Sequence, residues 1–305
     1  MARIAYLGPQ GTFSEAALLG MTAAGLIPEG ADAQPVPTDS TPAALDAVRD
    51  GAADFACVPV ENSIDGTVAP TLDSLASGSP LQVFAELTLD VAFSIVIKPG
   101  VTAAQVRTVA AFPVAAAQVR RWLSANLPAA HVIPAISNAA AAAEVAAGRA
   151  DAGVSTALAT QRYELSALGH DVVDEPNART RFLLVGQPGP PPPRTGHDRT
   201  SVVLRLGNTP GSLVAALSEF GIRGIDLTLI ESRPTRVELG TYVFFLDCVG
   251  HLEDTAVAEA LAALHRRCDD VRYLGSWPTG SSGGTRPPEL DEAGRWLQSL
   301  RQGRR

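Results

Sequence analysis

Short apolar, β-branched runs alternate with alanine-rich stretches over the first 188 residues. RIAYLG (3–8), DFACVPV (54–60) and FSIVIK (93–98) have the length and composition of strands. Residues 14–24, 41–50, 113–126 and 138–148 read as helices. This alternation predicts an α/β domain with parallel-type crossovers, whose ligands gather at strand C-terminal ends and helix N-termini. Residues 200–277 follow another order. TSVVLRL is a strand, PGSLVAALSEF a helix, IDLTLIESRP and GTYVFFLDCVG two strands, DTAVAEALAALHRRC a helix, and VRYLGS a last strand. The order β-α-β-β-α-β is that of an α+β, ferredoxin-like domain. No repeat relates the two halves, so two unlike domains are expected.

Proline and glycine mark the boundaries. GQPGPPPPRTG (186–196) favours an extended polyproline linker. The division is therefore 1–188, a linker at 189–199, a second domain at 200–278, and a flexible tail at 279–305 opened by TGSSGGTRPP. Within that tail DEAGRWLQSLR (291–301) has the pattern of a short amphipathic helix.

Composition removes several functional classes. The 305 residues are 46% hydrophobic, enough for globular cores, but no run approaches the ~20 apolar residues of a membrane span. MARIAYLGPQ has no secretory-signal pattern, so a cytoplasmic location is expected. Cys57, Cys248 and Cys268 are widely spaced, and His131, His170, His197, His251 and His265 are scattered, which gives no metal-ligand pattern. Lys98 is the only lysine, and it precedes Pro99-Gly100 at a strand end, which argues against a pyridoxal Schiff base. Neither a metal nor a cofactor is expected. Residues 1–188 hold 10 Lys+Arg against 18 Asp+Glu, a net −8, and residues 189–305 hold 14 of each. Neither half has the basic face of a nucleic-acid binder. An anion bound by the first half must be met by locally placed donors.

Four segments carry candidate chemistry. YLGPQGTFSEAAL (6–18) is a strand, a glycine-rich turn and a helix; Thr12 and Ser14 suit helix caps, and the same N–H groups suit an anion. VPVENSIDGTV (58–68) places Glu61, Asn62 and Ser63 at a strand's C-terminal end. Three adjacent polar side chains there are costly to leave unpaired, although a turn also accounts for Asn62 and Ser63. Gln118 lies among small apolar residues of the 113–126 helix, and Ser137 or Asn138 suits the cap of the next one. NARTRF (177–182) sets Thr180 between Arg179 and Arg181 at the mouth of an apolar run. Arginine suits a carboxylate and the hydroxyl suits a departing oxygen, while solvated arginines on an edge strand are the plainer alternative.

In this order and spacing, YLGPQGTFSEAAL, VPVENSIDGTV and TRF resemble the prephenate dehydratase family. NTPGSLVAAL (208–217) and ESRPTR (231–236) resemble the ACT regulatory domain that follows in that family, and the likeness covers about residues 2–277. The resemblance implies cofactor-independent conversion of prephenate to phenylpyruvate with loss of carbon dioxide and water, on the route to phenylalanine. It also implies a bilobal catalytic domain like type 2 periplasmic binding proteins, with the site in the interlobe cleft and residues near 80–165 as the second lobe. Carried over, Thr180 is the essential threonine, with Arg181 and Phe182 completing its motif. Glu61, Asn62, Ser63 and Gln118 join it as catalytic candidates, and Thr12, Ser14, Ser137 and Ser155 face the cleft. Arg181 and helix N-termini are expected to hold the carboxylates.

Two positions depart from the family's pattern. Ala111-Phe112 stand where many members have Ser-His, and Ala178 stands where many have Asn, with Asn177 one position earlier. In the ACT half, Asn208, Pro210, Gly211, Ser212, Leu213, Val214, Glu231 and Ser232 match the segments that bind L-phenylalanine between subunits. That implies feedback inhibition in a homodimer or homotetramer. A bilobal solute-binding protein, an enzyme for arogenate and an inactive amino-acid sensor are the alternatives.

Overall fold

The computed structural model describes residues 1–28, 32–175, 177–279, 284–287 and 291–304. It divides into two compact units, one of Met1–Thr71 with Leu87–Leu184 and one of Leu72–Glu86 with Val185–Arg305.

The first unit opens with β1 (Ala2–Leu7), α1 (Phe13–Ala23), β2 (Ala33–Thr38), α2 (Thr41–Arg49), β3 (Phe55–Asn62), β4 (Gly66–Thr67), α3 (Ala69–Ala76) and β5 (Gln82–Asp90), the last two running on into the second unit. Then come β6 (Phe93–Ile97), β7 (Thr108–Ala111), α4 (Pro113–Gln118), α5 (Arg120–Asn126), β8 (His131–Pro134), α6 (Asn138–Ala146), β9 (Ala152–Ser155), α7 (Ala157–Arg162), β10 (Ser166–Val172) and β11 (Arg179–Gly186). Two sheets result, and each anchors a lobe. One has the order β2-β1-β3-β11-β5 with β4 beside β3, and the other is β10-β6-β9-β7-β8. β1 runs parallel to both β2 and β3, as the alternating pattern requires.

Three differences from the sequence reading have local causes. β2, AQPVPT, carries Pro35 and Pro37 and was not legible as a strand; it lies at a sheet edge, where missing donors cost no ladder bond. The strands of the second lobe span Phe93–Val172 rather than about 80–165, because β5 is the far edge of the first sheet and the irregular β10 completes the second. The helix expected over 113–126 breaks at Val119 (φ −123°). There Asp174 supplies its backbone N–H to Gln118 O (2.7 Å) and its carboxylate to Arg121 N (2.8 Å), which caps α5 from a distant loop. The alanines of α6 are explained by Gly153. A Cβ on that strand residue would lie 2.9 Å from Ala141 O, so helix and sheet touch nearly backbone to backbone.

The second unit holds β12 (Asp198–Arg205), α8 (Ser212–Gly221), β13 (Leu227–Pro234), β14 (Tyr242–Val249), α9 (Thr255–Arg267), β15 (Asp270–Pro278) and α10 (Asp291–Arg301). Its sheet has the order β13-β14-β12-β15, antiparallel throughout. Val202, Leu204, Ala216, Phe220, Leu246, Ala260 and Leu264 fill the core beneath α8 and α9. This is the βαββαβ arrangement the pattern predicts. Residues 72–86, which the sequence assigns to the first domain, pack with this unit. Arg272 donates to the carbonyls of Leu75 (3.1 Å), Ser77 (3.0 Å) and Gly78 (3.1 Å) at the C-terminal end of α3, where a cation also meets the helix dipole favourably. Glu86 is buried and accepts from Arg199 Nη1 (2.9 Å) and Trp277 Nε1 (3.0 Å).

The proline-rich segment is tied down rather than loose. His251 accepts Glu253 N at Nδ1 (3.1 Å), so its Nε2 carries the proton and donates to Pro192 O (3.0 Å). In the tail, Thr279 N bonds His197 O (2.8 Å), and the helix expected at 291–301 is α10. The rest of the flexible-tail expectation falls partly on 280–283, 288–290 and 305, which lie outside the described residues. Among the described residues no helix is long and apolar enough to cross a membrane.

Candidate active site

A cleft of about 950 Å³ opens in the first unit, walled by both lobes. From the first lobe come the loop after β1, the end of β2, Pro59 of β3, and Thr180 and Phe182 of β11. From the second come Phe112, Ile136, Ser137, Asn138, Arg162 and Tyr163. The first loop reaches across. Thr156 Oγ1 donates to Gly11 O (2.6 Å), and Arg162 Nη2 pairs with Glu15 Oε1 (2.8 Å). Gly11 takes φ +91°, and a Cβ there would meet Ala159 Cβ at 3.0 Å, so both its backbone shape and its closeness to α7 call for glycine.

β11 sorts the TRF motif by side. Successive strand residues face opposite ways, so Thr180 and Phe182 line the cleft while Arg181 turns to the other face. Arg181 is 8% exposed and pairs with Glu61 (Nε to Oε2, 3.2 Å). Neither Arg181 nor Glu61 is a cleft-lining residue, which runs against the expectation that Arg181 meets a carboxylate there.

Asn62 fixes the direction of the Thr180 hydroxyl. Its Oδ1 accepts from Ile64 N (2.8 Å) and Asp65 N (3.1 Å) in the tight turn after β3. That leaves Nδ2, a donor only, to face Thr180 Oγ1 at 2.9 Å. Thr180 therefore accepts from Asn62, and its own proton is directed elsewhere. Ser63 holds the two loops in register: its N donates to Arg179 O (2.9 Å) and its Oγ accepts from Arg179 N (2.9 Å). That hydroxyl is used in the scaffold.

The remaining candidates separate into cleft and scaffold. Thr12, Ser14 and Ser137 line the cleft. Thr12 Oγ1 caps α1, accepting Glu15 N (3.3 Å) and donating to Leu7 O (2.9 Å), and Ser137 Oγ caps α6 through Ala140 N (3.0 Å). Ser155 is fully buried and donates to Asn138 O (2.6 Å). Gln118 is 7% exposed, lies outside the cleft lining, and keeps a buried Oε1 without a hydrogen-bond partner among the described residues. Of the two departures, Phe112 lines the cleft and Ala178 is buried in the second lobe's core. Gln10, Asp39, Arg162 and Tyr163 were not anticipated. Asp39 follows the proline-bearing strand, and Arg162 ends a short helix that no periodic signal marked.

Two buried groups near the first loop are unsuited to acid–base work at neutral pH. Burial, with Glu15 nearby, pushes the Tyr6 phenol up to about 12, and burial pushes the Cys57 thiol up to about 12. No cluster of three metal-ligating side chains occurs among the described residues.

In the second unit a pocket of about 320 Å³ is lined by Asn208 and Ser212 with Arg205, Thr235, Tyr242 and Asp269, among others. Gly211 takes φ +87° as the cap of α8, again a glycine conformation. Pro210, Leu213, Val214, Glu231 and Ser232 do not line this pocket. Glu231 and Ser232 sit on β13, at the sheet edge, and Val214 is 68% exposed.

Comparison with known proteins agrees with this two-part construction. Residues 4–190 match the family described as Prephenate dehydratase, and residues 200–266 match the ACT domain. The chain belongs to the prephenate dehydratase family. A prephenate dehydratase of Mycobacterium ulcerans is 70% identical over 306 residues, covering 100% of this chain and 97% of the relative. One from Mycobacterium sp. strain JLS is 72% identical over 308 residues, covering 99% and 97%. A crystal structure of a prephenate dehydratase from Arthrobacter aurescens in complex with L-Phe superposes with a TM-score of 0.88 at 38% identity, covering 98% of this chain and 99% of that one.

Proposed function

We infer that this chain converts prephenate to phenylpyruvate in the interlobe cleft and is feedback-inhibited by L-phenylalanine at its ACT domain. The observation that carries the catalytic reading is the Thr180 hydroxyl, held as an acceptor by Asn62 on the wall of the cleft. Prephenate is a dianion whose ring becomes aromatic when carboxylate and hydroxyl leave together, so the driving force is already in the substrate. The protein has two tasks: to orient the ring carboxylate for loss, and to meet the departing hydroxide. Donation from Thr180 to the leaving oxygen strengthens as negative charge develops there, which is the form of hydrogen bond that raises kcat. Phe112, Phe182 and Pro59 supply the apolar wall for the ring.

The effector reading rests on the glycine-capped start of α8 beside Asn208 and Ser212. Its exposed Val214 and the edge strand bearing Glu231 and Ser232 support a site completed by a second copy of the chain, as a homodimer or larger even assembly. The test is phenylpyruvate formation from prephenate by the purified full chain, with and without L-phenylalanine. The expected result is turnover far above the spontaneous rate that L-phenylalanine suppresses. Turnover no faster than the spontaneous rate rejects the catalytic reading, and turnover indifferent to L-phenylalanine rejects the regulatory one.

Asn62→Asp gives a sharper check on Thr180. The carboxylate still accepts the Ile64 and Asp65 amides, so the turn survives. Facing Thr180, however, it can only accept, and it draws the hydroxyl proton away from the cleft. kcat is expected to fall about 10²-fold with little change in thermal stability. Wild-type kcat in Asn62→Asp would disprove the assigned hydrogen-bond direction.

A further inference from the structure

A dianion entering a partly apolar cleft needs a cation or several strong donors, since an uncompensated buried charge is costly. Among the residues lining the cleft, the ionisable acids and cations are Asp39 and Arg162. Asp39 repels a carboxylate. Arg181, the cation of the conspicuous motif, is turned to the opposite face and paired with Glu61. Arg162 therefore stands as the cation of the cleft, and nothing in the sequence pattern points to it.

Its setting suits the task. Arg162 is the last residue of α7, and its side chain keeps about a third of its surface exposed (34%) on the cleft wall. Two of its N–H groups are bound across the lobes, Nη2 to Glu15 Oε1 (2.8 Å) and Nη1 to Gln10 Oε1. Those bonds lock the guanidinium plane. The fork has further N–H donors for a second, planar acceptor, and a carboxylate matches that geometry bidentately. Glu15 is itself 3% exposed, and its other oxygen accepts Gly11 N. Its charge is thus shared between Arg162 and the first loop, which leaves the guanidinium able to attract a second anion.

We propose that Arg162 is a substrate-positioning residue that holds the side-chain carboxylate of the dianion, the one that phenylpyruvate keeps. This rests on the prephenate reading above and adds to it the group that compensates the substrate's charge.

The test compares Arg162→Gln, Arg162→Lys and Glu15→Gln in the full-length protein, by steady-state kinetics on prephenate and by calorimetric titration with phenylpyruvate. Loss of a charged hydrogen bond to a carboxylate raises KM by about 10- to 100-fold, while kcat falls much less. That is the expected result for Arg162→Gln, with partial recovery in Arg162→Lys. Glu15→Gln keeps one acceptor oxygen, which can serve Arg162 while the Gly11 N–H bond is given up, and it removes the competing charge, so its KM stays at or below the wild-type value. A KM within twofold of wild type in Arg162→Gln overturns the proposal. So does an equal rise in Glu15→Gln, which would make the pair a clasp between lobes and nothing more. Wild-type protein inactive on prephenate would instead reject the functional reading. The phenylpyruvate titration still decides the role of Arg162 in that case, through loss or retention of binding in Arg162→Gln.

Discussion

Thr180→Val should lower kcat on prephenate by about 10²–10³-fold, the usual loss when a donor that acts on developing charge is removed. Valine keeps the branched shape, and Phe182 and Pro59 beside it are unaffected. KM should change little, because the hydroxyl acts mainly as the carbon–oxygen bond breaks. Folding loses less. The hydroxyl's partner is Asn62 Nδ2, and leaving that donor unpaired costs about 1–3 kcal/mol. Thr180→Ser restores a donor at the same place and should recover most of the rate. Steady-state assays of the three proteins decide the matter, and a Thr180→Val enzyme within threefold of wild-type kcat would sink the assignment.

Arg199→Leu should be the most destabilising single change in the second unit. Arg199 is 8% exposed and donates to Glu86 at 2.9 Å, with Asp247 Oδ2 at 4.0 Å. Both carboxylates are themselves buried, at 4% exposure each. Removing a cation that lies beside both brings two like charges in a low-dielectric setting closer to uncompensated, a loss of about 3–5 kcal/mol. At roughly 2–4 °C per kcal/mol, the melting transition should drop by about 10 °C. Replacing Glu86 by Leu in the same protein should restore part of that loss, because Trp277 Nε1 then loses only one neutral-side bond while a buried charge disappears. Calorimetry on the single and double variants reads both effects. An unchanged melting temperature in Arg199→Leu would mean that Glu86 finds its compensation elsewhere.

Much of this architecture was legible because period and composition agree. β1, β3 and β6 are continuous apolar runs, as buried strands are, and the six elements from β12 to β15 follow in the order the pattern predicts. β5, β8 and β9 were not named either, but two of the strands that escaped have a composition or register that opposes their state. β2 carries two prolines that only an edge tolerates, and β10 is interrupted by irregular register against β6. At the site, the polar cluster after β3 and the TRF motif were visible because polar residues beside an apolar strand stand out. Their roles were less visible. Strand alternation sends Arg181 away from the cleft, a distinction that rests on which face of the sheet is covered. Arg162 was invisible for a different reason. It ends a helix of six residues, too short to show a period, and its meaning comes only from Glu15, 147 positions earlier in the chain.

The paired hydrogen bonds between Ser63 and Arg179 have a consequence for how this sequence can drift over generations. They fix the strand's phase at Arg179, one residue before the hydroxyl that matters. Upstream of that point the constraints fall on the backbone: the Asn177 carbonyl accepts Ser63 Oγ (3.2 Å) and the Ala178 carbonyl accepts Val91 N (2.7 Å), while the Asn177 side chain is exposed. The side chain at 177 can therefore change without turning Thr180 to the wrong face. Side-chain substitutions should be tolerated at residue 177, and insertions or deletions purged from 177 onward.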